Sequence, residues 1–203
     1  GGGCDPRLVK WMTLGEVVSV YDGTHQTPKY TKQGVRFVSV EDIAHLSRSN
    51  KYIAVEDYLR DYKKPPAKGD LLMTRIGTIG KCAIVASEEP LAYYVSLCLM
   101  KPNSREILSG YLKHVLESAC GRRELYKRTI HTAVPVKINL GDISKLVIPV
   151  PPLAEQQRIV DILDRFDSLT TSLTDGLPAE IEARRKQYEY YRDKLLTFKE
   201  KVA

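Results

Sequence analysis

The C-terminal part of the chain carries an apolar stripe with heptad spacing, and this feature constrains the fold more than any other. Its members recur at alternating intervals of four and three residues, which places them along one seam of a long helix. Such a seam pairs with another helix, and Arg184 within it is typical of register control. The sequence therefore predicts a globular part followed by a docking or dimerising arm. The stripe comprises Leu177, Ile181, Arg184, Tyr188, Tyr191, Leu195, Phe198 and Val202.

Prolines mark where the arm begins. Pro149, Pro151 and Pro152 remove donors from a strand ladder and fix φ near the value that a helix start requires. A first amphipathic helix is predicted directly after them, and a second from about Ala179 after a break at 175–178. We therefore expect a globular domain over 1–150 and a helical region over 151–203.

The globular part is predicted to be α+β. Short β-rich segments alternate with turn residues, and one helix is expected over 109–120, where Gly121 can close it. The strands are too irregularly spaced for a sandwich, and they alternate with helices too rarely for a doubly wound parallel sheet. The predicted strands are 16–21, 35–40, 71–76, 82–86, 93–100 and 146–150.

Length and composition predict a globular protein outside the membrane. The 203 residues are 43% hydrophobic, enough for a sizeable core. Because no apolar run approaches the roughly 20 residues of a membrane span and no signal peptide is recognisable, we expect a cytoplasmic protein without a membrane partner. The four cysteines are widely spaced without a C-x-x-C pair, which indicates reduced thiols rather than a zinc site.

The positive charge belongs to the globular part. Residues 1–150 hold 22 Lys and Arg against 15 Asp and Glu, whereas residues 151–203 hold 9 against 10. A basic domain is expected of a protein that binds a phosphate backbone, because neutralising phosphates releases condensed counterions. Solubility alone is the other interpretation of this modest excess.

Three polar segments are candidates for nucleic-acid contact. A loop rich in donors and acceptors spans 21–30, a G-x-x-G turn lies within 75–81, and four cations surround Tyr126 in 122–132. Cations would contact phosphates, while loop 24–30 and residues 131–132 would supply part of the base readout. Each segment also has a structural interpretation as an inert loop, a tight turn or a solvated helix end. The candidates are Thr24, His25, Gln26, Thr27, Lys29, Tyr30, Arg75, Thr78, Lys81, Arg122, Arg123, Lys127, Arg128, His131 and Thr132.

Catalytic patterns are missing from the sequence. The four histidines lack metal-ligand spacing, and there is no G-x-S-x-G elbow, glycine-rich cofactor loop or flipped-base motif of an amino-methyltransferase. Asp61 and Lys63 form a D-x-K pair, but no matched acidic residue precedes it on a strand. The turn at 77–80 resembles a KH RNA-binding loop in its glycines, yet its flanks have strand character, which favours a hairpin. We therefore expect a chain without catalysis of its own.

Together these residues resemble the specificity subunit of type I restriction-modification systems. The most specific stretch is IPVPPLAEQQRIV at 148–160, followed by Leu163 and Asp164 and by RRKQYEYYRDKLL at 184–196. Weaker similarity extends over Trp11 to Gly15, Tyr21 to Pro28, Phe37 to Ile43, Gly69 to Lys81 and Ile138 to Ile143, so the resemblance covers nearly the whole chain.

The resemblance implies a non-catalytic subunit with one target recognition domain that reads one half of a bipartite DNA site. Its helices would space that domain, self-associate and dock the modification subunits, which bring S-adenosylmethionine and methylate adenine. Restriction subunits can join with ATP and Mg²⁺. Family members usually carry two recognition domains, so this chain is either a half-subunit or half of a longer one. Two alternatives remain open, namely a KH-like or other RNA-binding module and a stand-alone metal-dependent nuclease.

Overall fold

The computed structural model describes residues 8–171 and 178–198. Within these ranges the chain forms seven α-helices and ten strands, so the predicted α+β class is confirmed. The strands are β1 (Lys10–Thr13), β2 (Val18–Asp22), β3 (Tyr30–Thr31), β4 (Val35–Val38), β5 (Lys51–Ile53), β6 (Leu71–Thr74), β7 (Cys82–Ile84), β8 (Leu91–Tyr93), β9 (Leu97–Pro102) and β10 (Val147–Val150). The helices are α1 (Leu14–Val17), α2 (Val55–Asp61), α3 (Ser109–Glu117), α4 (Ala119–Arg128), α5 (Leu140–Ile143), α6 (Leu153–Thr171) and α7 (Pro178–Leu196).

A central antiparallel sheet with strand order β2-β9-β6-β7 separates two apolar clusters. Leu71 and Met73 on β6 belong to the cluster on the helical side, whereas Leu72 between them belongs to the opposite cluster. This alternation follows from the two-residue period of a strand. Because both faces are covered, the side chains of β6 are all buried.

The second sheet lies over the opposite face, with strand order β3-β5-β4-β8. Its pairs are antiparallel except for β4 and β8, which run parallel. Phe37, Ile53 and Tyr93 of this sheet share an apolar cluster with Leu72 and Leu99 of the central sheet. The molecule is therefore layered as helices, central sheet and second sheet.

The arm helices pack on the globular domain. Ile159 and Leu163 of α6 and Leu196 of α7 are buried in the same cluster as Leu71 and Met73. The prolines end β10 and α6 begins at Leu153, as the sequence predicts. In addition, β1 pairs with β10 just before the arm, a contact between chain segments that are far apart in sequence. No helix among the described residues is both long and apolar enough to cross a membrane.

The predicted C-terminal end of the helix over 109–120 is wrong, because the structure has two helices there. Helix α3 stops at Glu117, and Ser118 caps a second helix by accepting a hydrogen bond from Gly121 N at 3.3 Å. Gly121 therefore lies inside α4 rather than after a helix. A Cβ there would stand 2.2 Å from the carbonyl oxygen of Val115, so close packing between the two helices requires glycine.

The heptad stripe is only partly available to another chain, which corrects the expectation that the whole seam faces a partner. Tyr188, Leu195 and Phe198 pack against the apolar cluster on the helical side of the central sheet. Ile181 and Tyr191 are 40% and 37% exposed. The remaining apolar members, Leu177 and Val202, lie outside the described residues. The spacing correctly predicts an apolar seam. Much of the surface that covers this seam, however, belongs to this chain's own globular domain.

Candidate nucleic-acid interface

Asp22, at the end of β2, joins two of the candidate segments. Its carboxylate accepts hydrogen bonds from Arg75 Nη2 at 2.9 and 3.0 Å and is 2.8 Å from His25 Nε2. Its backbone carbonyl accepts a hydrogen bond from the Tyr93 hydroxyl at 2.7 Å. Strand β2, the end of β6 and the second sheet are therefore connected at one residue.

Arg75 is buried, which corrects the expectation that it contacts a phosphate. Besides its pair with Asp22, its Nη1 donates to the carbonyl oxygen of Ile138 at 3.2 Å, and only 8% of its side chain is exposed. Breaking a buried pair of this kind leaves an uncompensated charge. Arg75 is thus a positioning residue that holds Asp22 and the chain at Ile138 together.

The G-x-x-G motif forms the predicted hairpin turn between β6 and β7. Gly77 and Gly80 have φ of 79° and 86°, values that favour glycine, and the strands on either side are antiparallel. A KH loop joins two helices, so the KH-like alternative is not supported. Thr78 and Lys81 are exposed on this turn.

Residues 130–137, which we name the finger, are bound to that turn. Ile130 N donates to Lys137 O at 2.7 Å and closes the base of the finger. Gly77 N donates to Val136 O at 2.8 Å, and Ile138 N donates to Arg75 O at 3.0 Å. The finger, the turn and Asp22 therefore form one continuous hydrogen-bonded surface.

The four predicted cations lie within α4, which precedes the finger, rather than after a helix. Arg122, Arg123 and Lys127 are exposed, and Arg128 is half-buried. Glu124 accepts from Lys127 and Arg128, each at 2.7 Å. Burial alone would raise the pKa of Glu124, but the hydrogen bond from Lys127 and the charge of Arg128 hold it below its usual value. These two cations are therefore partly neutralised.

His131 and Thr132 are exposed near the start of the finger. The His131 ring lies 4.2 Å from that of Tyr126, and its Nε2 is 3.0 Å from the Tyr126 carbonyl oxygen. Tyr126 is 68% exposed. The exposed aromatic pair connects the last turn of α4 to the finger.

Loop 24–30 leaves the Asp22 centre and runs toward the second sheet. Thr24 pairs with Tyr94 beside β8, and Tyr30 begins β3 with its ring 5.7 Å from Phe37. Gln26, Thr27 and Lys29 are exposed between them and border a polar cleft of about 330 Å³ shared with α2. His25 is thus bound to Asp22 of the Asp22–Arg75 pair, while Tyr30 contacts the second sheet.

Asp22, Gly23 and the end of the finger were missing from the predicted site. A Cβ on Gly23 would lie 2.5 Å from the carbonyl carbon of Tyr94, so glycine is needed for this close approach. The Asp22-Gly23 pair is a recognisable turn signal. Its partner Arg75, however, is 53 residues away, and no local pattern joins the two.

The D-x-K pair does not form a prepared metal site. Both Asp61 oxygens accept hydrogen bonds from Arg60, at 2.8 and 2.9 Å, and this bonding lowers the pKa of Asp61. Among the described residues, one group could hold a metal, because ligand atoms of His114, Asp164 and Asp167 lie within 4.8 Å of one another. These three residues belong to the contact between α3 and the arm.

That contact is a polar network rather than an apolar seam alone. His114 Nε2 lies 3.0 Å from Asp164 Oδ1, and Nδ1 lies 3.3 Å from the Tyr188 hydroxyl. Burial lowers the pKa of His114, against the opposing effect of the Asp164 hydrogen bond. The network therefore links α3, α6 and α7.

Gln156, within the conspicuous stretch at 148–160, anchors the start of α6. Its side chain is buried, accepts from Leu108 N at 2.9 Å and donates to Glu106 O and Pro151 O, each at 2.8 Å. The adjacent Gln157 is exposed and bonds to Asp161 on its own helix. One glutamine thus fixes the arm to the domain and its neighbour does not.

The cysteines are consistent with unpaired thiols. Cys82, Cys98 and Cys120 are free, and Cys4 lies outside the described residues. Burial raises the pKa of the Cys98 thiol to about 12. A buried thiol of this kind is an inert packing group rather than a reactive one.

Curated relatives of this chain are specificity subunits. It is 35% identical over 201 residues to the type I restriction enzyme EcoR124I/EcoR124II specificity subunit of Escherichia coli, covering 94% of this chain and 48% of the relative. A putative type I restriction enzyme specificity subunit of Haemophilus influenzae is 36% identical over 155 residues, covering 74% and 38%. The chain therefore spans about half the length, or less, of these relatives.

Solved structures support the fold. The HsdS subunit from Thermoanaerobacter tengcongensis superposes with a TM-score of 0.65 at 21% identity, over 96% of this chain and 46% of that one. A chain from a type I R-M system superposes with a TM-score of 0.66 at 20% identity, over 96% and 47%. The family model for the type I restriction modification DNA specificity domain matches residues 6–183, and the chain belongs to that family.

Proposed function

We propose that this chain recognises one half of a bipartite duplex DNA site as the specificity component of a type I restriction-modification complex. The observation that carries the proposal is the hydrogen-bonded surface in which the Asp22–Arg75 pair connects loop 24–30, the turn at 77–80 and the finger. In a member of the DNA specificity family, such a surface fixes several polar loops relative to one another. Fixed loops suit base readout, because each side chain must meet a base edge at a defined position.

Exposed cations on this surface supply the proposed phosphate contacts. Lys29, Lys81, Arg122 and Arg123 are exposed and have no carboxylate ion pair among the described residues. Unpaired cations can release counterions from DNA without first breaking an internal ion pair. We assign Lys127 and Arg128 a weaker part, because Glu124 already binds both.

Base readout is proposed for exposed polar side chains beside these cations. His25 is oriented by Asp22, and His131 by its contact with Tyr126. Gln26, Thr27 and Thr132 are exposed and add donors and acceptors that can distinguish base edges. Arg75 has no direct DNA contact in this proposal and acts through Asp22.

The arm is proposed to contact other protein chains through its outer face. Ile181, Tyr190 and Tyr191 are exposed on α7, and Phe166 of α6 stacks on Tyr191 at 5.5 Å. We propose that this face pairs with the helices of a second recognition unit, on a second copy or in a longer chain. The same arm would dock modification subunits, which restriction subunits can join.

Chemistry is assigned to the partner subunits. We propose that they bind S-adenosylmethionine, ATP and Mg²⁺, and that this chain supplies recognition and spacing alone. The nuclease alternative has no support from Asp61, whose oxygens are both bonded to Arg60. In this proposal the His114 network holds α3, α6 and α7 together and has no catalytic role.

A methyl-transfer assay tests the proposal. The chain alone, the modification subunit alone and the two together are incubated with labelled S-adenosylmethionine and duplex DNA. We expect sequence-specific methylation of adenine in the mixture only. Methylation by the chain alone, Mg²⁺-dependent cleavage abolished by Asp61→Ala, or stronger binding to single-stranded RNA than to duplex DNA would contradict the proposal.

The phosphate contacts are tested by a matched pair of lysines at the two ends of the β6–β7 hairpin. Lys81 lies at the turn, whereas Lys68 precedes β6 at the other end and is 59% exposed. Lys81→Ala should weaken binding to all DNA sequences about equally and flatten the salt dependence by about one unit of slope. Lys68→Ala should leave both unchanged, and equal effects of the two variants would argue against the assigned surface.

A further inference from the structure

The finger ends in an apolar tip, in which Val134 and the adjacent Pro135 are both exposed, and the exposed cations of α4 precede it in the chain. Val134 is 98% exposed. The finger around it is held in place, because Ile130 N donates to Lys137 O at 2.7 Å and Ala133 N to Ile130 O at 3.4 Å. A single exposed apolar residue is common in proteins. Here, however, it is presented by a closed loop.

The neighbours of Val134 belong to the proposed DNA surface. Val136 O accepts from Gly77 N of the turn, and His131 and Thr132 precede Val134 in the finger. Val134 therefore projects from the element that joins the turn to the Asp22–Arg75 pair. Its two methyl groups offer neither a donor nor an acceptor.

Apolar side chains can read only one feature of the major groove. Thymine presents a C5 methyl group there, whereas the other groups on the base edges are hydrogen-bond donors or acceptors. Contact with that methyl group would cover apolar surface on both partners. A valine at the end of a fixed finger is thus suited to distinguish thymine from cytosine at one position.

We propose that Val134 is a specificity-determining residue that contacts the methyl group of one thymine in the target half-site. The inference rests on the proposed DNA-recognition function and adds the class of base that the finger reads. The finger enters the major groove beside the phosphates contacted from α4. His131 and Thr132 then face the adjoining base pairs.

The test replaces thymine by uracil, which removes only the methyl group. The target is first identified from the sequences methylated by the chain with its modification subunit. Each thymine of the half-site is then replaced singly, and binding by that complex is measured for wild type and Val134→Ala. One replacement should weaken wild-type binding about fourfold, the ratio expected for burial of one methyl group. Val134→Ala should weaken binding to unmodified DNA about as much and be insensitive to that replacement.

A matched control removes another exposed aliphatic side chain. Leu8, next to β1, is 58% exposed, and Leu8→Ala should retain the wild-type response to uracil. Equal responses of wild type and Val134→Ala at every thymine would overturn the inference, as would a half-site with no sensitive thymine. Loss of DNA bending in Val134→Ala without any uracil effect would instead assign the residue as a wedge between bases. Failure of the wild-type complex to bind DNA selectively would refute the proposed function itself.

Discussion

The loop end of the globular domain and its junction with the arm hold their parts together in different ways. At the loop end, the ion pair between Asp22 and Arg75 and a few backbone hydrogen bonds join segments whose polar side chains are largely exposed. At the junction, Gln156 and His114 make hydrogen bonds within a continuous apolar cluster. The loop end therefore depends on a small polar centre, whereas the arm depends on a larger buried contact.

Removal of the ion pair is expected to have the largest effect. Arg75→Ala leaves the Asp22 carboxylate without its buried partner and removes the side-chain hydrogen bond to the Ile138 carbonyl oxygen, so the free energy of unfolding should fall by about 3 to 5 kcal/mol. Denaturant unfolding measures this loss. Lys81 lies six residues after Arg75, and its side chain is exposed. Lys81→Ala should therefore change the free energy of unfolding by less than about 0.5 kcal/mol. Similar losses in the two variants would show that Arg75 is not the internal link.

Loss of the arm anchor should have a somewhat smaller effect. Gln156→Leu preserves approximate size but leaves Leu108 N and two carbonyl oxygens without their partner, which should cost about 2 to 3 kcal/mol. Gln157→Leu is the matched control, because Gln157 is exposed and bonds only along its helix. The two variants are compared by thermal unfolding. A stable Gln156→Leu protein would mean that apolar packing alone holds α6.

The smallest effect concerns pH at the junction. Burial keeps the pKa of His114 below its ordinary value, so the folded state binds fewer protons than the unfolded state near pH 6.5. The contribution of neutral His114 to the free energy of unfolding is therefore fully present above about pH 6.5. It is lost as the pH falls toward the folded-state pKa. Between pH 7.5 and pH 5.5, the midpoint temperature of thermal unfolding should fall further for wild type than for His114→Gln. A His114→Gln protein with the same pH dependence as wild type would contradict this assignment.

Local sequence signals were sufficient for many elements. The apolar run of β6, the two glycines of the turn and the prolines after β10 all act within a few residues, so these features are predictable without knowing the rest of the chain. The segment predicted as one strand over 93–100 is instead the end of β8, a turn and most of β9. The stretch at 148–160 also identified the family. The sequence does not predict strand β1, whose partner β10 lies more than 130 residues away.

The candidate site was predicted as segments but not as an arrangement. Polarity predicts the segments 24–30, 75–81 and 122–132, and the structure connects them through Asp22 and the end of the finger. The sequence does not predict the burial of Arg75, because an arginine beside a turn has the same local signature whether it faces solvent or a carboxylate. Burial depends on what the fold brings opposite the side chain.

The sequence by itself determined the class of fold, the hairpin turn, the start of the arm and the family. Tertiary structure alone decided that Arg75 is internal and that Tyr188, Leu195 and Phe198 face this chain's own domain. A heptad period specifies that a helix has an apolar face, but it does not specify which surface covers that face. Ion pairs and helix contacts between distant residues depend on the folded positions of both partners. Local spacing in the sequence does not determine those positions.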